Sequence, residues 1–267
     1  MKSFLIKIIP EPLLKGLKKK RYKLKITNKP KFSSAFKNDK DTLNCRIAYN
    51  KHGGYCLPVS SNHRPAVQTI MRGRVHEPDT LNYMINNCKD GDIVHAGAFF
   101  GDFFPGLSKN IPEVSKIWTF EPNSENFKCA SITKQINSLK NLELFNSGLG
   151  ETENSKKMLI KNKKGMYLGG GSRIIENEND GQTEEISIVA IDEIIPENRK
   201  VSIIQLDVEG YEKQALAGAL KTINRCQPDL ILEDNNNIID TEWFRENILM
   251  KGYIIFDKLH HNTIIKK

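Results

Sequence analysis

The residues best suited to binding chemistry lie in two neighbouring segments of the sequence. Residues 92–101 read DIVHAGAFFG, so a short apolar run leads into two glycines, Gly97 and Gly101. The apolar run 116–120 then ends directly before an acid, Glu121. Glycines let a backbone approach a ligand, and a carboxylate after the next strand accepts both hydroxyls of a ribose. The order and spacing of the two segments predict a nucleoside-cofactor site.

Each of these parts also has an ordinary structural explanation. Gly97 and Gly101 suit any strand-to-helix turn in which glycine is needed for packing. Glu121 suits the start of a helix, where the macrodipole favours a negative charge. Both explanations must hold at once to exclude the site, so the pair is stronger evidence than either part.

A third segment, residues 205–212, reads QLDVEGYE and follows another apolar run. The run delivers Asp207 to the rim of the sheet, Glu209 lies two residues further on, and Gly210 permits a tight entry into a helix. Two carboxylates at a cofactor cleft can orient a substrate hydroxyl or take its proton. The alternative is that both acids cap the helix, where Glu212 occupies the first turn.

The elements that must position these residues alternate between strand and helix patterns. Strands are predicted at residues 93–96, 116–120, 142–145, 203–206, 230–232 and 253–256, with an antiparallel edge strand at 263–265. Helices are predicted at residues 78–87, 103–110, 124–139, 211–223 and 243–250. This alternation predicts an α/β fold with a doubly wound, mainly parallel sheet and a final antiparallel strand. Ligands of such sheets bind at the carboxyl ends of the strands.

The chain divides by composition into three parts. Residues 1–40 form a basic arm, residues 41–90 contain a hairpin around Gly53 and Gly54 and a helix, and residues 91–267 form the α/β domain. An insertion at about 150–188 is polar and rich in glycine, asparagine and acids. It is expected either to lie near the site or, in its middle, to be a mobile surface loop.

Charge is distributed unevenly between these parts. The first 40 residues carry a net charge of +11, whereas the remainder carries −3. The arm is either a solvated segment, a contact with an anionic membrane or a partner, or an electrostatic contact with nucleic acid. The near-neutral body has no basic surface interleaved with aromatic residues, so sequence-specific nucleic-acid binding is not expected.

Cysteine usage and hydropathy bear on the compartment. The five cysteines are odd in number and widely spaced, which predicts reduced thiols in a cytoplasmic protein. No apolar run reaches the ~20 residues of a membrane span. The protein is therefore expected in the cytoplasm, with peripheral membrane or partner contact through residues 1–40 as an option. The sequence does not indicate an oligomeric state.

Four segments together resemble the FkbM family of S-adenosylmethionine-dependent methyltransferases. They are HAGAFFGDF at 95–103, TFEPNSENF at 119–127, LFNSGLGE at 144–151 and LDVEGYEKQALAGA at 206–219. The resemblance covers roughly residues 75–235, and its most specific element is DVEGYE. It implies a class I methyltransferase Rossmann-like fold and O-methylation of a hydroxyl on a sugar, a glycan or a natural-product-like small molecule.

The resemblance also implies roles for individual residues. Gly97, Ala98 and Gly101 would surround the methionine end of the cofactor. Glu121 would hold the ribose, with Pro122 and Asn123 next to it. Ser147 and Gly148 would lie by the adenine. Asp207 and Glu209 would face the methyl donor and acceptor, and Glu77 would close over the cofactor.

One position departs from the family pattern. The first strand usually ends in Asp-Val-Gly-Ala, and here His95 replaces the acid and is kept among the cofactor-binding candidates. A protonated histidine would repel the cofactor's ammonium group. Three outcomes are open: another acid such as Glu77 or Asp207 compensates, His95 is a neutral hydrogen-bonded core residue, or cofactor binding is weak or lost.

Methylation of a hydroxyl also needs a base. The candidates are Asp207, Glu209 and Glu233, with His260 and His261 ranked below them. No metal site is expected, although the three carboxylates are of the type that binds a divalent ion. Two other functions remain: a NAD(P)-dependent oxidoreductase, disfavoured by the absence of Gly-x-Gly-x-x-Gly, and a cofactor-binding module without turnover, suggested by His95.

Overall fold

The computed structural model describes residues 42–175 and 181–267. The predicted basic arm at 1–40 and residues 176–180 of the predicted insertion lie outside the described residues. Within the two described ranges, no helix has the length and apolar character needed to cross a membrane.

The chain before the central sheet forms a hairpin and two helices. Its elements are β1 (Cys45–Tyr49), β2 (Gly54–Pro58), α1 (Pro65–Met71) and α2 (Pro78–Asn87). The first half of the sheet follows as β3 (Asp92–Ala96), α3 (Phe104–Ser108), β4 (Ile117–Phe120), α4 (Ser124–Ile136) and β5 (Leu142–Phe145). The hairpin pairs Tyr49 with Gly54, as its turn glycines predict.

An insertion then precedes the second half of the sheet. The insertion contains β6 (Gly148–Leu149), β7 (Asn154–Asn162), β8 (Arg173–Ile175) and β9 (Gly181–Val189), which form a separate sheet in the order β6-β9-β7-β8. The second half comprises α5 (Ile191–Ile194), β10 (Val201–Leu206), α6 (Glu212–Ala217), α7 (Leu220–Cys226), β11 (Asp229–Glu233), α8 (Glu242–Asn247), β12 (Ile254–Leu259) and β13 (Asn262–Lys266).

The described residues build a seven-stranded sheet in the order β12-β13-β11-β10-β3-β4-β5. The pairs from β11 to β5 are parallel, and β13 is antiparallel to both of its neighbours. The chain adds strands in one direction after β3 and in the other after β10, so the order reverses between these two strands. The predicted doubly wound α/β fold is confirmed, and the reversal marks the expected ligand crevice.

The last strand is antiparallel, as predicted, but its predicted edge position is wrong. β13 inserts between β11 and β12, pairing Ile265 with Leu230 on one side and with Ile255 on the other. Ile264 and Ile265 are consequently buried, whereas the first three residues of β12 are exposed. The sequence indicates the hairpin of β12 and β13, but not which of these two strands pairs with β11.

The predicted helix at 211–223 is in fact two helices that are interrupted at Gly218. A Cβ atom at Gly218 would lie 2.0 Å from the carbonyl oxygen of Gly150, so the helix passes directly against the start of the insertion. The predicted helix at 243–250 ends at Asn247 and continues as a short 3-10 turn, Leu249–Lys251. The break at Gly218 comes from a contact outside the local sequence window.

Two apolar layers cover the two faces of the sheet. Side chains alternate along a strand, so Val94 and Ala96 face one layer while Ile93 faces the other. The first layer is completed by α6, α7 and α8, and the second by α2, α3 and α4. Burial on both faces explains why these strands read as continuous apolar runs.

Asp92 fixes the amino-terminal end of this sheet, opposite the ligand crevice. Its carboxylate is 1% exposed and accepts the Lys116 backbone N–H and the Trp118 indole N–H, each at 2.8 Å. Arg199, which precedes β10, donates its Nε–H to the same carboxylate at 2.8 Å and also forms a salt bridge with it. One buried acid thus joins β3 to β4 and to the segment that enters β10.

Replacing Asp92 by alanine is expected to lower the free energy of unfolding by ~2–4 kcal/mol, because it leaves a buried indole N–H and a guanidinium without their acceptor. Urea unfolding at neutral pH measures the loss. Asp90→Ala is the matched control, since Asp90 pairs with Lys200 at 2.7 Å while it is exposed. Solvent screens that exposed pair, so its removal is expected to change stability much less. Equal losses of unfolding free energy in the two variants would contradict the role of Asp92 in joining these strands.

Candidate functional site

A cleft opens at the carboxyl ends of the central strands, where the strand order reverses. It consists of a cavity of about 430 Å³ and a narrower pocket of about 40 Å³. The residues that line both are Gly97, Glu121, Gly170, Asp207 and Glu209. Three of these five were predicted from the ends of β3, β4 and β10 as cofactor-binding residues, and Glu209 as a catalytic residue.

The turn after β3 brings its backbone against the turn after β10. Gly97 has φ +85°, and a Cβ atom there would lie 1.9 Å from the carbonyl oxygen of Asp207. Phe99 adopts φ +48°, an uncommon left-handed conformation for a non-glycine residue. Ala98 is fully buried and Gly101 has φ +80°, and neither lines the cleft. Among the three candidates of this turn, Gly97 faces the cleft and the other two shape the turn.

Glu121 links the β3 turn to the start of α4. It is 4% exposed and accepts the Phe99 backbone N–H at 2.7 Å and the Asn123 backbone N–H at 2.9 Å. Burial raises the pKa of Glu121 to about 8, although these two hydrogen bonds oppose the shift. Asn123, not Glu121, caps the helix, because its side chain accepts the N–H groups of Glu125 and Asn126. The helix-charge explanation of Glu121 therefore does not account for its position.

The narrower pocket is mostly apolar and contains one unsatisfied hydroxyl. Pro122, Ser147 and Gly148 line it, as do Leu149, Met158 and Tyr211. Ser147 is 5% exposed, and its Oγ is buried without a hydrogen-bond partner. A buried polar atom without a partner is uncommon, so the Ser147 hydroxyl is free to bond to a molecule that enters the pocket.

The insertion closes over this pocket through the turn Gly169–Gly171, which was not assigned to the site from the sequence. Gly170 packs against the Phe99 ring, because a Cβ atom added to Gly170 would lie 3.3 Å from a ring carbon of Phe99. The Gly169 carbonyl accepts the Asn126 side-chain N–H at 3.3 Å, and Ser172 Oγ accepts the Asn123 side-chain N–H at 3.3 Å. The three successive glycines in the sequence indicate a turn, but the neighbouring residues do not indicate which distant segment the turn packs against.

Acidic side chains surround the larger cavity. Asp207 and Glu233 stand next to each other at the ends of β10 and β11, where Leu206 pairs with Leu232, and Asp207 Oδ1 is buried without a hydrogen-bond partner. Burial and the neighbouring Glu233 charge raise the pKa of Asp207 well above its usual range. All three predicted catalytic carboxylates, including Glu209, thus line one cavity.

Neither Asp207 nor Glu209 serves as the predicted helix cap. Glu212 accepts the Gly210 backbone N–H at 3.0 Å and closes the first turn of α6 instead. Glu209 has φ +52° and lies 4.0 Å from the Arg64 guanidinium. Burial raises the pKa of Glu209. A non-glycine residue in this conformation is held by its surroundings and is a feature of functional sites.

Glu77 and the histidine pair complete the wall on the opposite side. Glu77 precedes α2 with φ +38°, and its Oε2 accepts the Asn262 side-chain N–H at 2.9 Å. His260 and His261, in the turn between β12 and β13, also line the larger cavity, and His260 Nε2 lies 3.3 Å from Asp79. Asp102, which the sequence analysis did not select, lines the cavity too, and burial raises its pKa to about 6.

His95 lies beneath the cleft and not on its surface, which corrects its place among the cofactor-binding candidates. It is 2% exposed, its Nδ1–H donates to the side-chain oxygen of Gln205, and its ring stacks on Phe103 with 5.4 Å between centroids. Burial lowers the pKa of His95 to about 4, so the ring is neutral. His95 is therefore a neutral, hydrogen-bonded core residue, so an acid that replaces the family's aspartate would have to lie elsewhere.

The carboxylates of the cavity do not form a metal centre of the usual kind. Within residues 42–175 and 181–267, no group of three or more His, Cys, Asp and Glu side chains is arranged to hold a metal ion.

Comparison with known proteins gives a family for this domain. The family model of the methyltransferase FkbM domain matches residues 95–262, which is more than half of the chain and covers the cleft residues from Ala96 to His261, but not Arg64, His76 or Glu77. No curated protein matches the chain.

Solved structures with a similar arrangement are distant in sequence. The methyltransferase FkbM from Methylobacillus flagellatus KT is 19% identical with a TM-score of 0.48, over 67% of this chain and 44% of that chain. M. jannaschii TYW2 in complex with AdoMet is 11% identical with a TM-score of 0.45, over 84% of both chains. A putative O-methyltransferase from Klebsiella pneumoniae is 10% identical with a TM-score of 0.41, over 70% and 77%. The present chain thus spans less than half the length of the M. flagellatus protein.

The neutral His95 makes stability depend on pH. Its pKa is about 4 in the folded protein and ~6.5 in an unfolded chain, so only the unfolded state gains the proton between these values. Stability is therefore lost as the pH falls through this window, by up to ~3 kcal/mol. In His95→Gln this part of the acid sensitivity is expected to disappear, as measured by urea unfolding at pH values across the window. His260→Gln, at an exposed position, is the control; parallel pH profiles for wild type and His95→Gln would refute the assignment.

Proposed function

Since the chain belongs to the FkbM methyltransferase family, whose methyl donor is S-adenosylmethionine, we propose that it methylates a hydroxyl group. The acceptor we propose is a sugar, a glycan or a natural-product-like small molecule. The observation that carries the proposal is the row of carboxylates from β10 and β11 beside the nucleoside pocket.

The residues of the cleft fit S-adenosylmethionine. Ser147 offers its unpartnered hydroxyl within an apolar pocket of the kind that receives an adenine. Glu121 is placed to accept the ribose hydroxyls, in exchange for the backbone N–H groups that it now binds. Gly97 lets the turn after β3 approach the carbonyl oxygen of Asp207, and the acids of the larger cavity suit the two positive charges of the cofactor.

Glu77 and Asp102 support a compensating role for the missing acid at position 95. Both line the same cavity as Gly97, and their carboxylates would offset the charge of an ammonium group bound there. A carboxylate near a bound cation favours that cation electrostatically. We therefore propose that these two acids replace the family's usual aspartate.

Methylation of a hydroxyl requires that the acceptor oxygen is held in position and that a base removes its proton. When bound, the cofactor supplies an electrophilic methyl group on a sulfonium. The protein must hold the acceptor oxygen in line with that methyl group, and Arg64, Glu209 and His261 are the polar groups on the outer wall of the cavity that can orient a hydroxyl compound. A carboxylate then removes the hydroxyl proton as the new bond forms, and Asp207, Glu209 and Glu233 are the candidates.

The alternatives have less support. Family membership disfavours a nicotinamide oxidoreductase, and the core position of His95 removes the reason for a module without turnover. We propose no sequence-specific nucleic-acid partner. The five free thiols support a cytoplasmic setting, and a peripheral membrane or partner contact through residues 1–40 is a proposal about residues outside the described ranges.

The proposal is tested by incubating the full chain with S-adenosylmethionine and a panel of glycans and hydroxylated small molecules, and by locating any new methyl group by NMR. We expect O-methylated product from wild type. Glu121→Gln is expected to bind the cofactor ~10–100-fold more weakly, since the amide NH2 replaces one of the two oxygens that would bond to the ribose hydroxyls. Glu125→Gln, two residues after the helix cap, is the control with unchanged affinity. Methyl transfer to nitrogen or carbon only would refute O-methylation.

A further inference from the structure

We infer that Asp207 and Glu233 form a proton-sharing pair which gives up its proton when the positively charged cofactor binds, so that cofactor binding itself creates the base for the acceptor hydroxyl. The catalytic half of this inference rests on the proposed function. The proton release does not, because it requires the cofactor alone.

The position of the two carboxyl groups favours a shared proton. Asp207 follows β10 and Glu233 ends β11, and Leu206 pairs with Leu232, so neighbouring parallel strands place the two acids side by side in the wall of one cavity. Two carboxyl groups that share a site repel each other when both are ionised, so one of them keeps a proton more readily. Asp207 carries it, since burial and the adjacent Glu233 raise its pKa well above the usual range.

The charges around the pair are mostly negative. The acids that face it across the larger cavity are Glu77 before α2, Asp102 after β3, Glu121 after β4 and Glu209 after β10. The basic groups are Arg64 before α1, His76 beside Glu77, and His260 with His261 in the β12–β13 turn. Arg64 is engaged with Glu209. Within the part of the chain that the structure describes, this cavity has one arginine and no lysine in its wall, so the acids lack a matching set of fixed cations.

A cation that enters such a cavity favours ionisation of the pair. A positive charge within ~4–6 Å of a carboxyl group lowers its pKa by roughly one to three units. S-adenosylmethionine carries this charge on its sulfonium, whereas its product, S-adenosylhomocysteine, has a neutral thioether in the same place. The two ligands share the adenine, the ribose, the ammonium and the carboxylate, so they differ only in the methyl group and the charge on sulfur.

The proton balance of the cycle then closes on these two residues. On cofactor binding, the Asp207–Glu233 pair releases one proton to solvent. During transfer, the acceptor O–H bond breaks, the oxygen forms a bond to the methyl carbon, and the carbon–sulfur bond breaks with its electron pair left on sulfur. The pair takes the acceptor proton and returns to its original state as the positive charge disappears.

The test counts protons by isothermal titration calorimetry of the full chain at neutral pH. Each ligand is titrated in buffers with different ionisation enthalpies, and the slope of the observed enthalpy gives the protons exchanged. We expect S-adenosylmethionine to release about one proton more than S-adenosylhomocysteine. Proton changes at Glu121, whose pKa is about 8, are common to both ligands and cancel in the difference.

Affinity gives a second reading of the same linkage. Release of one proton makes the affinity for S-adenosylmethionine rise by up to ~10-fold per pH unit, while that for S-adenosylhomocysteine stays comparatively flat. In Glu233→Gln an amide replaces the carboxyl group that shares the proton. The difference in the number of protons released by the two ligands is therefore expected to fall to near zero. Glu143→Gln, a half-exposed carboxylate on β5 that pairs with Lys116 at 3.5 Å, is the control that keeps the wild-type difference.

The outcomes separate this inference from the proposed function. Equal proton release by the two ligands in wild type overturns the inference, whatever the variants do and whichever acceptor is methylated. A difference of about one proton without any O-methylated product supports the pair and counts against the proposed acceptor chemistry. A difference that persists unchanged in Glu233→Gln, with the variant shown to be folded by its thermal unfolding, overturns the assignment to this pair.

Discussion

The close approach of two backbones at the point where the sheet reverses determines the geometry of the whole site. Gly97 can lie against the carbonyl oxygen of Asp207 only because it has no Cβ atom. This contact joins the turn after β3 to the turn after β10, and it opens the crevice between them. Glu121 extends the arrangement by binding the backbone of the first turn, so three strand ends form one rigid cradle.

Charge is the second determinant of the site. Burial of an unpaired carboxylate is unfavourable, and this protein reduces the cost by sharing a proton between Asp207 and Glu233 and by pairing Glu209 with Arg64. Asp207 Oδ1 still lacks a hydrogen-bond partner, and a cation that enters the cavity would stabilise these acids further. The same acids can therefore attract the positively charged methyl donor and release the neutral product.

Much of the fold followed from the sequence because its strands are apolar runs buried on both faces, and the acids after β4 and β10 stand at their ends. The remainder depended on contacts between distant segments. The inner position of β13, the helix break at Gly218 and the packing of Gly170 over Phe99 each arise from a neighbour far away in the chain. His95 illustrates the limit of a resemblance, since the motif position was right while its side chain points into the core.

A crystal structure of the full chain with S-adenosylhomocysteine would show directly how the cofactor lies in the cleft. We predict the ribose hydroxyls within ~3 Å of the Glu121 carboxylate, the adenine beside Ser147, and the sulfur directed toward Asp207 and Glu233. A ligand bound outside the crevice between β3 and β10, or one with its sulfur turned away from the two carboxyl groups, would contradict the account.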